Sequence, residues 1–263
     1  MDADELMDWD AGSYDSFRRL RSRPAGDLLS AVPQDIPPGP IVDLGCGSGA
    51  AAPLLAGRFP DRMLIGVDRS PVMLEEAMRC GLYDHLVEQD IRVWQPGAAP
   101  ALLFSNAVLH WLSDHAGLML RLVSMITDSG VLAVQMPRQL GRPSHDLLYL
   151  TAHELFPDRF DGDVPQQVRP PDFLHGILRT HGSLSVWETE YLQHLPASIE
   201  GHPVRMFTQS TAARPILKLL TPTERDTFLK RYDARLLSDY PLLPDGSTLM
   251  PFRRQFAVLM KGT

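Results

Sequence analysis

Apolar strands and amphipathic helices alternate between residues 40 and 137 of this 263-residue chain. That alternation predicts an α/β protein organised on a doubly wound, mostly parallel sheet, with ligands at the carboxyl ends of the strands. Two further observations agree. The first strand, Ile41-Val-Asp-Leu44, runs straight into Gly45, Gly47 and Gly49, where the missing Cβ lets the backbone turn sharply and lie against a small molecule. About 20 residues on, a second apolar strand, Met63-Leu-Ile-Gly-Val67, ends at Asp68, a carboxylate placed to accept both ribose hydroxyls of a nucleoside.

Each element follows in order. Residues 14–30 predict an amphipathic helix with Phe17, Leu20, Leu28 and Leu29 on its apolar side, broken near Pro24, and a proline-rich stretch from Pro33 to Pro40 leads into the first strand. The glycine turn opens a helix over residues 50–58. After the second strand, Ser70 and Pro71 supply a cap and a first-turn residue for the next helix. Short strands are predicted at 86–87, at 102–105 running into Asn106, and at 131–135 ending at Met136-Pro137. Beyond Pro137 the pattern turns helical at 144–156, 171–181, 203–210 and 222–239, with an alternating strand at 184–195 and a closing strand at 256–260. The expected architecture is a Rossmann-like core with seven strands, in which residues 138–183 and 197–250 are largely helical insertions forming a cap over the strand ends. Residues 1–34 read as an N-terminal helical lid, 35–140 as the cofactor-binding core, and 141–263 as the cap plus the last strands.

A chain this long buries about 70–75% of the surface its unfolded form exposes, so it needs neither metal nor disulfide. Cys46 and Cys80, the two cysteines, lack the paired spacing of a zinc site or a secreted framework, which suits a reducing cytosol. The acidic start Met-Asp-Ala-Asp-Glu has no basic and apolar leader, and no apolar run reaches the ~20 residues of a membrane span. A soluble cytoplasmic protein without a membrane partner is expected. A net charge of −7 argues against nucleic acid as a partner, since duplex binding rests on a broad basic surface.

The glycine spacing narrows the ligand. The dinucleotide fingerprint is Gly-x-Gly-x-x-Gly, cradling a pyrophosphate at a helix N-terminus; here the third glycine comes one residue early. Asp43, just before the loop, would repel phosphate but pair with an ammonium or sit beside a sulfonium. That favours S-adenosylmethionine over NAD. Taken alone, the glycines fit an ordinary strand-to-helix turn equally well.

The run Asp43-Leu-Gly-Cys-Gly-Ser-Gly49, the acidic strand end at Asp68 and Asp90-Ile91 together resemble the class I S-adenosylmethionine-dependent methyltransferases. A closer similarity, to the trans-aconitate methyltransferase family, lies in Asp8-Trp-Asp10 with Tyr14, Phe17 and Arg23-Pro24-Ala25, in Ser105-Asn-Ala-Val-Leu-His-Trp-Leu112, and in Val134-Gln-Met-Pro137 with Pro143-Ser-His145. It continues through Thr211, Arg214-Pro215, Arg231-Tyr232, Tyr240-Pro241, Asp245-Gly246 and Pro251-Phe252 to Arg254 and Phe256. The resemblance covers nearly the whole chain. Ala50-Ala-Ala52 and Ala101 depart from it, where family members carry a polar stretch and an aspartate.

The resemblance implies that Asp43, Gly45, Cys46 and Gly47 approach the methionine part of the cofactor, Asp68 the ribose, and Asp90 with Ile91 the adenine, flanked by Arg69 and Met73. Met73, at helical spacing, is equally suited to the core, and Cys46 to simple packing. Asn106, Ala107 and Trp111 belong to the same implied cofactor site, although an asparagine at a strand end also serves as a turn residue. Trp9, Tyr14 and Arg23 are implied to fold over the cofactor; the alternative is a surface helix. Candidates for a substrate anion are Arg214 and Arg254, then His110, His145, Arg205 and Tyr191, because guanidinium forks match carboxylates bidentately.

These residues imply an O-methyltransferase that esterifies a carboxylate of trans-aconitate or a similar small polycarboxylate, converting S-adenosylmethionine to S-adenosylhomocysteine without a metal. No general base is required, since a carboxylate is ionised at neutral pH; His110 and Tyr191 are the candidates should one act. A natural-product hydroxyl would need such a base near pH 7, and a cofactor-binding protein that transfers no methyl group is the more distant alternative. The protein is expected to be a monomer or homodimer with a small anionic carboxylate as its partner.

Overall fold

The computed structural model describes residues 18–160 and 168–263. Two compact units are distinguished. One comprises residues 18–137, 168–189 and 254–263; the other takes in 138–160 and 190–253.

The strands are β1 (Ile41–Leu44), β2 (Leu64–Asp68), β3 (His85–Glu88), β4 (Leu102–Asn106), β5 (Val131–Pro137), β6 (Gly182–Leu195) and β7 (Thr248–Lys261), in the sheet order β3-β2-β1-β4-β5-β7-β6. The first five pair in parallel and β7 runs antiparallel to β5, so the predicted Rossmann-like, mostly parallel sheet of seven strands is observed. Apolar runs without alternation dictate this: every residue of β1 is buried, as a strand covered on both faces must be. From β1 the chain winds outward to β2 and β3, then returns to the far side of β1 for β4. The reversal separates the loops leaving β1 and β4 and opens a crevice at their carboxyl ends.

The helices of this unit are α1 (Arg18–Ser30), α2 (Ala52–Arg58), α3 (Pro71–Arg79), α4 (His115–Met125) and α6 (Pro171–Leu178), with a 3-10 turn over Leu109–Trp111. Leu103, Leu132, Val134 and Leu259 from the sheet pack with Met119 and Leu122 of α4 and with Leu174 and Leu178 of α6. Full burial of such side chains contributes about 1.5–3 kcal/mol each. The N-terminal helix is not broken at Pro24, contrary to expectation: it continues to Ser30 with the proline inside. Burial of Ala25, Leu28 and Leu29 on its last turns offsets the ~3 kcal/mol that an interior proline costs.

The other unit holds α5 (Pro143–Leu155), α7 (Pro203–Gln209), α8 (Arg214–Lys218) and α9 (Pro222–Asp239). α9 opens on a capping box in which the Thr221 hydroxyl accepts from the Glu224 amide and the Glu224 carboxylate accepts from the Thr221 amide. The short helix α8 was not foreseen. The closing strand also begins earlier than the predicted 256, at Thr248. Pro251, Arg253 and Arg254 hide its period, but the Gln139 side chain replaces a strand partner there: Nε2 donates to the Pro251 carbonyl at 3.3 Å and Oε1 accepts from the Arg253 amide at 2.9 Å. No helix among the described residues is long and apolar enough to cross a membrane.

Ser144, wholly buried near the start of α5, is bracketed by two tyrosines. Its amide donates to the Tyr240 hydroxyl at 3.0 Å, and its carbonyl accepts from the Tyr232 hydroxyl at 2.6 Å. Tyr232→Phe would leave that carbonyl buried without its donor. Equilibrium unfolding should show a loss of about 1–3 kcal/mol, with no change expected in a variant at the exposed Leu237.

Candidate active site

The glycine loop is built by packing as much as by conformational freedom. A Cβ on Gly45 (φ +77°) would lie 2.5–2.7 Å from three atoms of the Val108 side chain, so the first glycine exists to seat Val108. At Gly49 the same position is closed by Tyr83, Cys80 and Ala77 at 3.2–3.4 Å. Gly47 (φ +52°) alone of the three faces open space, leaving its backbone accessible to a ligand. Val67 O accepts from the Gly45 and Cys46 amides at 2.7 and 3.0 Å, tying the loop to β2. Cys46 is buried, and burial pushes its thiol up; it packs as a small residue and is not a nucleophile.

Asp68 ends β2 and latches the loop to the following helix. Oδ2 accepts from the Gly47 amide and Oδ1 from the Ser70 amide, both at 2.9 Å. Each oxygen keeps a lone pair for a further donor. Asp43 is buried behind the loop and accepts from the Tyr83 hydroxyl at 2.6 Å. Desolvation raises its pKa from 3.8 to about 7, the Tyr83 bond working against the rise and the charge of Asp68 adding to it. Tyr83 reaches Asp43 because Gly66, opposite Asp43 on β2, has no side chain: a Cβ there would meet Tyr83 and Cys46 Sγ at 3.0 Å.

Across the crevice, β4 ends at Asn106, whose Oδ1 is buried without a hydrogen-bond partner. Ala107 follows in the left-handed region (φ 58°), a conformation costing a non-glycine residue about 1–2 kcal/mol, and its amide donates to Gln135 O at 2.9 Å. This bend delivers Val108 to Gly45 and starts the 3-10 turn that carries His110 and Trp111, whose rings lie 4.5 Å apart. Backbone strain at a strand end of this kind is a mark of a site whose surroundings over-determine it.

The remaining predicted positions fall as follows. Arg69 succeeds Asp68, and Met73 is buried on α3, where the Ser70 hydroxyl caps its amide at 3.4 Å. Asp90 is gripped by Arg92 through the backbone amide at 2.7 Å and the guanidinium at 2.7–3.1 Å, which holds its carboxyl below the usual range, while Ile91 is buried. Arg23 is exposed on α1, 3.9 Å from Asp27. Trp9 and Tyr14 lie outside the described residues. Arg254 is buried on β7, its Nη1 donating to Gln135 Oε1 at 3.2 Å.

Register places the polar residues on one side of the sheet. Asp43 pairs with Gly66 and with Phe104, Asn106 with Gln135, and Gln135 with Phe256. Cross-strand partners and every second residue share a face, so Asp68, Asp43, Asn106, Gln135 and Arg254 stand in a row at the strand ends. Of these, Gln135 was missed as a site residue, although an amide within the buried run Val131-Leu-Ala-Val-Gln-Met136 is itself a signal. Tyr83 carried none, being 40 residues from its partner.

Comparison with known proteins places the chain in a family. Residues 14–183 match the family model described as a methyltransferase domain. The chain is 37% identical over 259 residues to a trans-aconitate 2-methyltransferase of Sinorhizobium fredii, covering 97% of this chain and 99% of that one. It is 40% identical over 257 residues to a trans-aconitate 2-methyltransferase of Escherichia coli, at 96% and 98% coverage. The chain belongs to the trans-aconitate 2-methyltransferase family. A likeness of fold alone extends to the solved structure of YcgJ from Bacillus subtilis, with a TM-score of 0.55 at 14% identity, over 92% of this chain and 99% of that one.

In this methyltransferase the other substrate candidates, His145, Tyr191, Arg205 and Arg214, belong to the unit of α5 and α9. Burial lowers the His145 pKa to about 4, so at neutral pH its ring is an uncharged hydrogen-bonding group; Nδ1 lies 3.2 Å from Ser144 Oγ. Tyr191 is buried in β6, and Arg214 is the first residue of α8. The Arg205 guanidinium bonds Asp233 through Nε at 2.8 Å, Gln209 through Nη1 at 2.7 Å and the Glu200 carbonyl through Nη2. Among the described residues no cluster of three or more His, Cys, Asp or Glu side chains is arranged to hold a metal.

Two outcomes follow from the loop. Gly45→Ala should cost about 1–2 kcal/mol for the left-handed conformation alone, with the Val108 clash in addition. A Gly45→Ala, Val108→Ala double variant should recover the steric part only, as chemical denaturation of both would reveal. Separately, Asp43 holds a proton in the folded chain between pH 3.8 and about 7 that the unfolded chain has released. Stability should therefore fall as pH rises through that window, and Asp43→Asn should flatten the fall; parallel slopes in the two proteins would refute the assignment.

Proposed function

We propose that this methyltransferase uses S-adenosylmethionine to esterify one carboxylate of trans-aconitate or a similar small polycarboxylate, releasing a monomethyl ester and S-adenosylhomocysteine. The full-length likeness to trans-aconitate 2-methyltransferases carries the reading. The residues at the strand ends fit the cofactor. Gly47 has an open cradle, Asp68 keeps acceptor capacity for ribose hydroxyls, and the buried, unpartnered Asn106 Oδ1 suits an ammonium donor. Asp43 adds a carboxylate that an approaching cation would hold ionised. Asp90, Ile91, Arg69 and Met73 are assigned to the adenosine, and Gly45, Cys46, Ala107, Trp111, Trp9, Tyr14 and Arg23 complete the cofactor set.

Bound there, S-adenosylmethionine supplies a methyl group activated by a sulfonium. The protein's own residues have little acid-base work, because a substrate carboxylate is ionised at neutral pH. Their contribution is positioning, where fixed geometry supplies up to about 7–11 kcal/mol, and exclusion of water. Arg254 holds the substrate anion, with His110 a further candidate of the same unit; His145, Tyr191 and Arg214 are the candidates of the other unit, where the Arg205 guanidinium is engaged by Asp233, Gln209 and Glu200. The neutral His145 donates a hydrogen bond without competing for a proton.

Incubation with methyl-labelled cofactor and trans-aconitate should give a labelled, base-labile ester. Arg254→Lys, which keeps the charge but loses the fork, should raise KM about tenfold or more with cofactor affinity unchanged. Cofactor bound without label transfer to any small polycarboxylate would sink the assignment.

A further inference from the structure

The polar row at the strand ends contains one group that the reading above does not use. Gln135 is wholly buried in β5. Its backbone carbonyl accepts from Ala107 and its Oε1 from Arg254 Nη1 at 3.2 Å, but Nε2 has no partner in the protein. A buried amide that leaves its donors unmade costs about 1–3 kcal/mol against an apolar side chain of similar size. Anchoring Arg254 needs only Oε1. The unmade donors lie on the sheet face that carries Arg254 and Asn106, beside a cation and at the carboxyl edge where the fold binds ligands.

An amide N–H next to a guanidinium is a donor set for an acceptor-only anion, and a carboxylate offers about four lone-pair sites. Donation of this kind withdraws charge from the oxygens it holds and makes them poorer nucleophiles. Resting on the carboxylate reading, we infer that Gln135 is a substrate-binding residue that, with Arg254, holds a carboxylate of the substrate that is not methylated. The requirement for a polycarboxylate arises here. One carboxylate is held by Arg254 and the Gln135 amide while another attacks, so a monocarboxylate lacks either the handle or the nucleophile.

The test uses the full-length protein with Gln135→Met, which is apolar and of similar length, and Gln135→Glu, which keeps an acceptor for Arg254 but presents no donor. Cofactor affinity, melting temperature, kcat and KM are measured with trans-aconitate and with a monocarboxylic acid of the same carbon chain. Both variants should raise KM for trans-aconitate about 10- to 100-fold, the range for a lost hydrogen bond to a charged group, and cofactor affinity should be unchanged. Gln135→Glu should be the worse, since carboxylate would then oppose carboxylate, and the preference for the tricarboxylate over the monocarboxylate should shrink by the same factor. An unchanged KM in both, or an equal loss on both acids, overturns the inference while wild-type turnover leaves the function standing. Failure of the wild-type protein to methylate trans-aconitate with cofactor bound overturns the substrate reading and the inference together. If Gln135→Met melts much lower, the Gln135→Glu comparison between the two acids still decides.

Discussion

Everything at the strand ends depends on the seating of Val108 against Gly45. The two residues belong to loops on opposite sides of the topological reversal, and only a glycine leaves room for the contact, at 2.5–2.7 Å from where a Cβ would stand. To deliver Val108, the chain takes a left-handed step at Ala107, a residue with no side chain that gains from it. The strain is offset by the Ala107 bond to Gln135 and by the partial burial of the valine against the core. One wedge thereby fixes the spacing between the glycine loop and Asn106, and through the following turn the places of His110 and Trp111. A crevice assembled this way is rigid because its walls pack on each other.

Strand order then converts this frame into an electrostatic gradient. Read across β2, β1, β4, β5 and β7, the strand ends present Asp68, Asp43, Asn106, Gln135 and Arg254: two acids, two amides and a guanidinium. At ~4.8 Å per strand the row spans about 19 Å. Its acidic end suits a cationic methyl donor and its basic end a polyanionic acceptor, with neutral amides where the two would meet. A net charge of −7 is therefore no obstacle to binding an anion, since the charge that matters is sorted by the sheet. Burial sharpens the sorting: Asp43 is desolvated until its pKa nears 7, so a cation bound beside it recovers an interaction that water cannot compete for.

The centre of the sheet was legible because β1, β2 and β4 are continuous apolar runs ending in glycine, aspartate or asparagine, and each became a strand. What escaped has physical causes. Pro24 reads as a break because local propensity opposes it, and only the burial of Leu28 and Leu29 carries the helix through. The first half of β7 reads as irregular because Gln139, more than 100 residues away in sequence, makes the bonds that a strand would. All three glycines of the loop suggest a ligand, yet two are there for Val108 and Tyr83. Sequence spacing reveals that a Cβ is not tolerated; it does not reveal what occupies the space.

Arginine content was equally opaque, and for a related reason. Arg62 donates to the carbonyls of Ile36, Pro37 and Gly39 at 2.9–3.2 Å, and Arg121 to those of Ile91 and Trp94. Arg205 is engaged by Asp233, Gln209 and Glu200. A rigid fork with five donors satisfies several loop carbonyls at once, which a lysine cannot, so these arginines act as staples. Arg254 is anchored within the strand row by a side-chain amide, Nη1 donating to Gln135 Oε1 at 3.2 Å, which fixes the direction of its guanidinium.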